Sequence, residues 1–140
     1  MIGNSVKKAC LSGFGALLVF GLSLSAYGFD IEIDVAPNVL NLQSESTVVT
    51  VHTDIAYWRV AATTVTLNDV AISSWKADDR GNFVAKFLSD AIKSLDGLII
   101  GDYNELTLYG VTKGTETNPP EAFFGMTEIL VVNNIPKGKH

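Results

Sequence analysis

The sequence predicts an all-β fold, a two-sheet antiparallel sandwich, and three observations carry that prediction. Apolar and polar residues alternate in short runs, those runs are rich in β-branched residues, and Gly, Pro, Asn and Asp clusters separate them. No long segment repeats at the helical period, so the strand–helix–strand alternation of a parallel sheet is missing.

Phe29 to Val35 alternates apolar and acidic residues without a fault, which places Phe29, Ile31, Ile33 and Val35 on one face of a strand. Pro37-Asn38 breaks the run, a short apolar-polar piece follows from Val39 to Leu42, and Gln43 to Ser46 reads as a turn. Thr47 to Thr53 is a strand by its density of Val and Thr, whose branched side chains suit a pleated surface and resist a helix. Asp54 to Ala62 has no clear period, but Tyr57 and Trp58 give it large apolar groups fit to cover one end of the sandwich. Thr63 to Leu67 and Val70 to Trp75 read as strands joined by the turn Asn68-Asp69, and Lys76 to Asn82 is a polar loop. Phe83 to Phe87 alternates again. Ser89 to Leu95 is the one helical turn, with Ser89 or Asp90 as its cap and Asp96-Gly97 as its stop. Tyr103 to Tyr109 alternates, Lys113 to Glu121 is a long loop carrying Pro119-Pro120, and Gly125 to Val132 is the last strand. About seven strands in this arrangement fit an immunoglobulin-like sandwich.

Ahead of the first strand stands a different kind of segment. Lys7 and Lys8 are the only charges before Asp30, Leu11 to Leu24 carries none, and Ala26 and Gly28 put small residues where a leader peptidase needs them. Residues 1–28 therefore read as a cleaved signal peptide, residues 29–133 as the sandwich domain and residues 134–140 as a flexible tail. The apolar stretch falls short of the ~20 residues a membrane span needs, so no stable anchor is expected after cleavage. Cys10 lies before that stretch, not after it as lipidation requires, and it leaves with the leader. The mature chain thus has no thiol and no disulfide to rely on, although its expected location is periplasmic or secreted.

Removing 28 of the 140 residues leaves 112, enough for one core and too few for two. Lys7 and Lys8 go too, leaving 8 basic against 15 acidic residues. Such acidity argues against nucleic acid, which needs clustered Lys and Arg to displace counterions, and against an anionic membrane surface.

Four fragments carry a resemblance: Ile33 to Ser44, Val65 to Val70, Val84 to Phe87 and Leu106 to Gly110. Together they resemble a small immunoglobulin-like β-sandwich module of secreted bacterial and archaeal proteins, patterned as IDI-P-LNL-S, V-LNG, an aspartate-rich loop, VKF and L-L-G. In that family the aspartate-rich loop looks like a calcium site, since oxygen ligands at alternate positions wrap a hard cation. The resemblance puts Asp78 and Asn82 at two ligand-like positions of this chain. It also puts Lys76 where an acid stands in the family, Asp79 where glycine is usual, and Arg80 close by. Two cations in a cation site oppose binding, so the loop is degenerate and the expectation is no cofactor, with calcium the one ion to weigh.

Other candidate chemistry is sparse. His52 has no second histidine or cysteine at metal-ligand spacing, and with Asp54 it lacks any nucleophile elbow. Asp30, Glu32 and Asp34 form the solvated side of an alternating strand more naturally than a glycosidase pair. Among the aromatic residues, Trp58 and the pair Phe123-Phe124 lie outside the clearest strands and are the candidates for a sugar-stacking platform. The expectation is a non-enzymatic module with a structural or protein-interaction role, its partners other envelope or extracellular proteins or a second copy paired through sheet edges. A carbohydrate- or calcium-binding accessory domain is the alternative.

Overall fold

The computed structural model describes residues 28–135; residues 1–27, on which most of the expected leader falls, and residues 136–140, the end of the expected tail, lie outside the described residues. The strands form two sheets. One contains β1 (Gly28–Asp30), β3 (Val39–Asn41), β5 (Thr66–Leu67), β6 (Val70–Ala71), β9 (Tyr103–Val111) and β10 (Ala122–Val132), ordered β1-β10-β9-β5-β6 with β3 also beside β10. The other contains β2 (Ile33–Ala36), β4 (Val48–Ala56), β7 (Ser74–Ala77) and β8 (Asn82–Leu88), ordered β2-β4-β8-β7. Their inner faces meet in a core that includes Val49 and Val51 of β4, Phe83 and Phe87 of β8, and Leu106 and Leu108 of β9. An all-β sandwich is therefore the architecture, but it is not purely antiparallel: β1 and β3 both run parallel to β10.

The first alternating run is not one strand. β1 pairs with β10 in the six-stranded sheet and β2 pairs with β4 in the four-stranded sheet, so the chain crosses between sheets at Ile31-Glu32. One backbone and one side-chain hydrogen bond hold the crossing: the Ile31 N–H donates to the Phe124 carbonyl at 2.7 Å, and the Glu32 N–H donates to Asp54 Oδ1 at 3.0 Å. The two-residue period survives the change of partner, and Phe29, Ile31, Ile33 and Val35 all pack on the core as expected. Gly125 leaves the room for this. A Cβ there would stand 2.5 Å from Ile33 Cγ2 and 3.2 Å from Ile31 Cγ1.

Val70 to Trp75 divides in the same way. β6 closes a hairpin with β5 across Asn68 and Asp69, both at positive φ as a tight strand-matched turn requires, and β7 joins the other sheet. Leu98 to Ile100 forms a loop, organised by Asn104: its buried amide accepts from the Ile99 N–H at 2.7 Å and donates to the Ile99 and Asp102 carbonyls. The helical turn is real, α1 (Ser89–Lys93), but Leu88 occupies its cap and gives no side-chain bond. Ser89 is instead buried, its N–H bonded to the Thr47 carbonyl at 3.0 Å.

Candidate functional site

The outer faces of the two sheets differ in chemistry. On the four-stranded sheet, register aligns Asp34, His52, Val84 and Lys76 in one row and Thr50, Lys86 and Ser74 in the next, a mixed polar surface. The six-stranded sheet turns apolar groups outward. Phe124 faces Tyr109 with ring centroids 5.4 Å apart, Met126 faces Thr107, and Leu130 faces Tyr103 with Val39 beyond. Tyr103 is 60% exposed and Met126 58%, so this side of β9 and β10 presents a water-facing apolar ladder. Between its rows, Glu128 lies directly opposite Glu105.

Phe123 and Phe124, expected in a loop, belong to β10, which starts at Ala122. Alternation then separates them. Phe124 is on the exposed ladder, whereas Phe123 is 0% exposed and stacks in the core against Phe29 at 6.2 Å. Phe123 is therefore no ligand platform. Its ring lies over Gly110, its register partner, where any Cβ would collide with it.

Trp58 is 69% exposed on the 3-10 turn Tyr57–Arg59. It borders a groove of about 260 Å3 shared with the loop between β9 and β10, lined also by Arg59, Lys113, Asn118, Pro119 and Glu121. Hydrogen bonds order that loop. The Lys113 N–H donates to the Arg59 carbonyl at 2.7 Å, the Glu121 N–H to Thr112 Oγ1 at 2.9 Å, and the Asn118 N–H to Thr115 Oγ1 at 2.9 Å. Arg59 also places its guanidinium 5.1 Å from the centre of the Phe29 ring, a cation–π contact. The groove thus offers an aromatic surface rimmed by an amide and charges of both signs.

Asp78 and Asn82 bracket the β7–β8 turn. Asp78 Oδ1 accepts the Arg80 and Asn82 N–H groups at 2.8 and 2.9 Å, and Gly81 takes φ of 81° to close the turn. The Asn82 N–H foremost, with the N–H and charge of Arg80, holds the Asp78 pKa below its usual value. One carboxylate oxygen is therefore committed to the turn. His52, Asp54, Asp78, Asp79 and Arg80 share one shallow depression, and its Thr53 hydroxyl points away, donating to the Phe83 carbonyl at 2.6 Å. Among the described residues, no group of three or more His, Cys, Asp or Glu side chains is placed to hold a metal ion.

Glu105, Met126 and Glu128 were not among the residues that sequence reasoning singles out for a site, and Tyr103 and Tyr109 count there only as aromatic residues whose commoner place is the core. A signal for the tyrosines existed: in Tyr103 to Tyr109 both rings fall in the outward, polar phase of the alternation. Compared with protein-family models, curated proteins and solved structures, the chain matches none of them.

Proposed function

We propose that this chain is an exported, non-enzymatic module of immunoglobulin-like kind, related to the secreted sandwich modules it resembles, that works in the periplasm or outside the cell by binding another protein. The observation that carries this reading is the apolar ladder on the outer face of the six-stranded sheet. Solvent-facing positions of a sheet are ordinarily polar, and a run of Phe124, Tyr109, Met126, Leu130 and Tyr103 on one face gains from being covered. Replacing Tyr103 and Met126 together by serine tests it. The parent chain should migrate in a larger complex in a gently prepared envelope or culture-fluid extract, and the double variant should migrate alone with an unchanged melting temperature. A parent chain that migrates alone removes the proposal.

Trp58 favours a second reading, a carbohydrate-binding accessory domain. Its exposed indole beside Asn118, Glu121 and Lys113 has the aromatic face and hydrogen-bonding rim that a sugar ring uses. Screening the protein and its Trp58→Ala variant on an array of polysaccharides decides it, since bound sugars must be lost with the indole.

A further inference from the structure

The charges on the apolar ladder narrow the partner's chemistry. Of the six Lys and Arg side chains among the described residues, none projects from the outer face of the six-stranded sheet. Lys76 and Lys86 lie on β7 and β8, Arg80 in their turn, Lys93 on α1 with its Nζ on the Ser44 carbonyl, and Arg59 and Lys113 at the Trp58 groove. The ladder's charged residues are all acidic: Asp30 beside Phe124, and the facing pair Glu105 and Glu128. Like charges directly opposite across two strands repel, and a surface selected only for stability would not place them there without a cation nearby. Neither carboxylate has an ion-pair or side-chain hydrogen-bond partner among the described residues.

Resting on the protein-binding reading above, we infer that the ladder receives an extended segment of a partner protein in which an arginine or lysine stands between apolar side chains, the cation seated between Glu105 and Glu128. The spacing supports this form. Met126, Glu128 and Leu130 succeed one another every second residue along β10, about 6.7 Å apart. A facing strand with the same period presents apolar, basic and apolar groups at positions one, three and five. Arginine suits the middle position best, because its planar fork can donate to two carboxylates at once. Desolvation by the flanking Met126, Leu130 and Tyr103 strengthens that contact relative to an open surface.

Selecting a random 12-residue peptide display library on the purified chain tests the inference. Enriched peptides should carry Arg or Lys two residues from aromatic or aliphatic side chains. A synthetic copy should lose affinity by about tenfold or more, as removal of charge pairs at interfaces does, when both glutamates become glutamine. Glu128→Lys should lose at least as much, and rising salt should weaken the parent's binding. Both variants should melt no lower than the parent, since each relieves the repulsion between the two carboxylates. Peptides that lack basic residues, whose binding falls with Tyr103→Ser and Met126→Ser but not with the glutamine pair, overturn the cation seat and leave the protein-binding face standing. Peptides indifferent to both sets of changes, or no enrichment at all, overturn both.

Discussion

Adding one methyl group at Gly110 should destabilise the protein by about 1–3 kcal/mol, the usual range for overfilling a packed core. An ideal Cβ at Gly110 falls against the ring of Phe123, 2.8 Å from Cε2 and 3.0 Å from Cε1, closer than real Cβ atoms approach their neighbours. The ring has nowhere to go, because it is fully buried and Phe29 stands on its far side. Working against this cost, alanine removes backbone freedom from the unfolded chain, worth about 0.4–1 kcal/mol wherever the native conformation accepts it. The two effects separate in a double-mutant cycle. Phe123→Leu shortens the group over Gly110 and costs stability on its own, but in that background Gly110→Ala should become neutral or stabilising. Urea unfolding followed by circular dichroism measures all four corners, and in a domain of this size each kcal/mol also moves the melting temperature by roughly 4–8 °C. If the two substitutions add within about 0.5 kcal/mol, the ring does not rest on Gly110 and the assignment of Phe123 to the core fails.

Asn104→Ala leaves the Ile99 N–H and the Ile99 and Asp102 carbonyls without their partner, so stability should fall by about 2–3 kcal/mol, with faster amide exchange at Ile99 as the local sign. Asp78 titrates below its usual value when folded, so its contribution is present above pH 3.8 and is lost as pH falls through the lower folded value. Asp78→Asn should therefore flatten the acid end of the stability–pH curve below about pH 4 and leave the slope above pH 5 unchanged. If the proposed export holds, sequencing the amino terminus of the protein recovered outside the cytoplasm should give Phe29; a chain starting at Ile33 would lose Phe29 and Ile31 from the core and with them on the order of 3 kcal/mol.

Much of the fold was legible because burial follows local pattern. The period of two assigned Phe29, Ile31, Ile33 and Val35 to the core correctly, and the β-branched run from Thr47 to Thr53 holds the first six residues of β4. What the pattern could not carry is the partner of each strand. Alternation fixes which side chains point inward but not which sheet they point from, so the crossings at Ile31-Glu32 and at Ile72-Ser73 were invisible. The same gap explains Phe123. Its neighbours Pro119-Pro120 suggest a loop, and its burial depends on a glycine 13 positions earlier that lies opposite only once β9 and β10 pair. Trp58 was legible as a surface residue because its segment has no period at all. Glu105 and Glu128 gave no signal, being 23 positions apart and unremarkable until the register sets them face to face.

Photo-cross-linking from the two sheet faces tests whether the apolar ladder is the binding face. A photoreactive amino acid placed at Met126, on the ladder of the six-stranded sheet, is compared in producing cells with one at Thr50, on the polar face of the four-stranded sheet. A discrete adduct should form from position 126 and disappear when Glu105 and Glu128 are glutamine, and none should form from position 50. Equal adducts from both faces, or none from position 126, would contradict the ladder as the binding face.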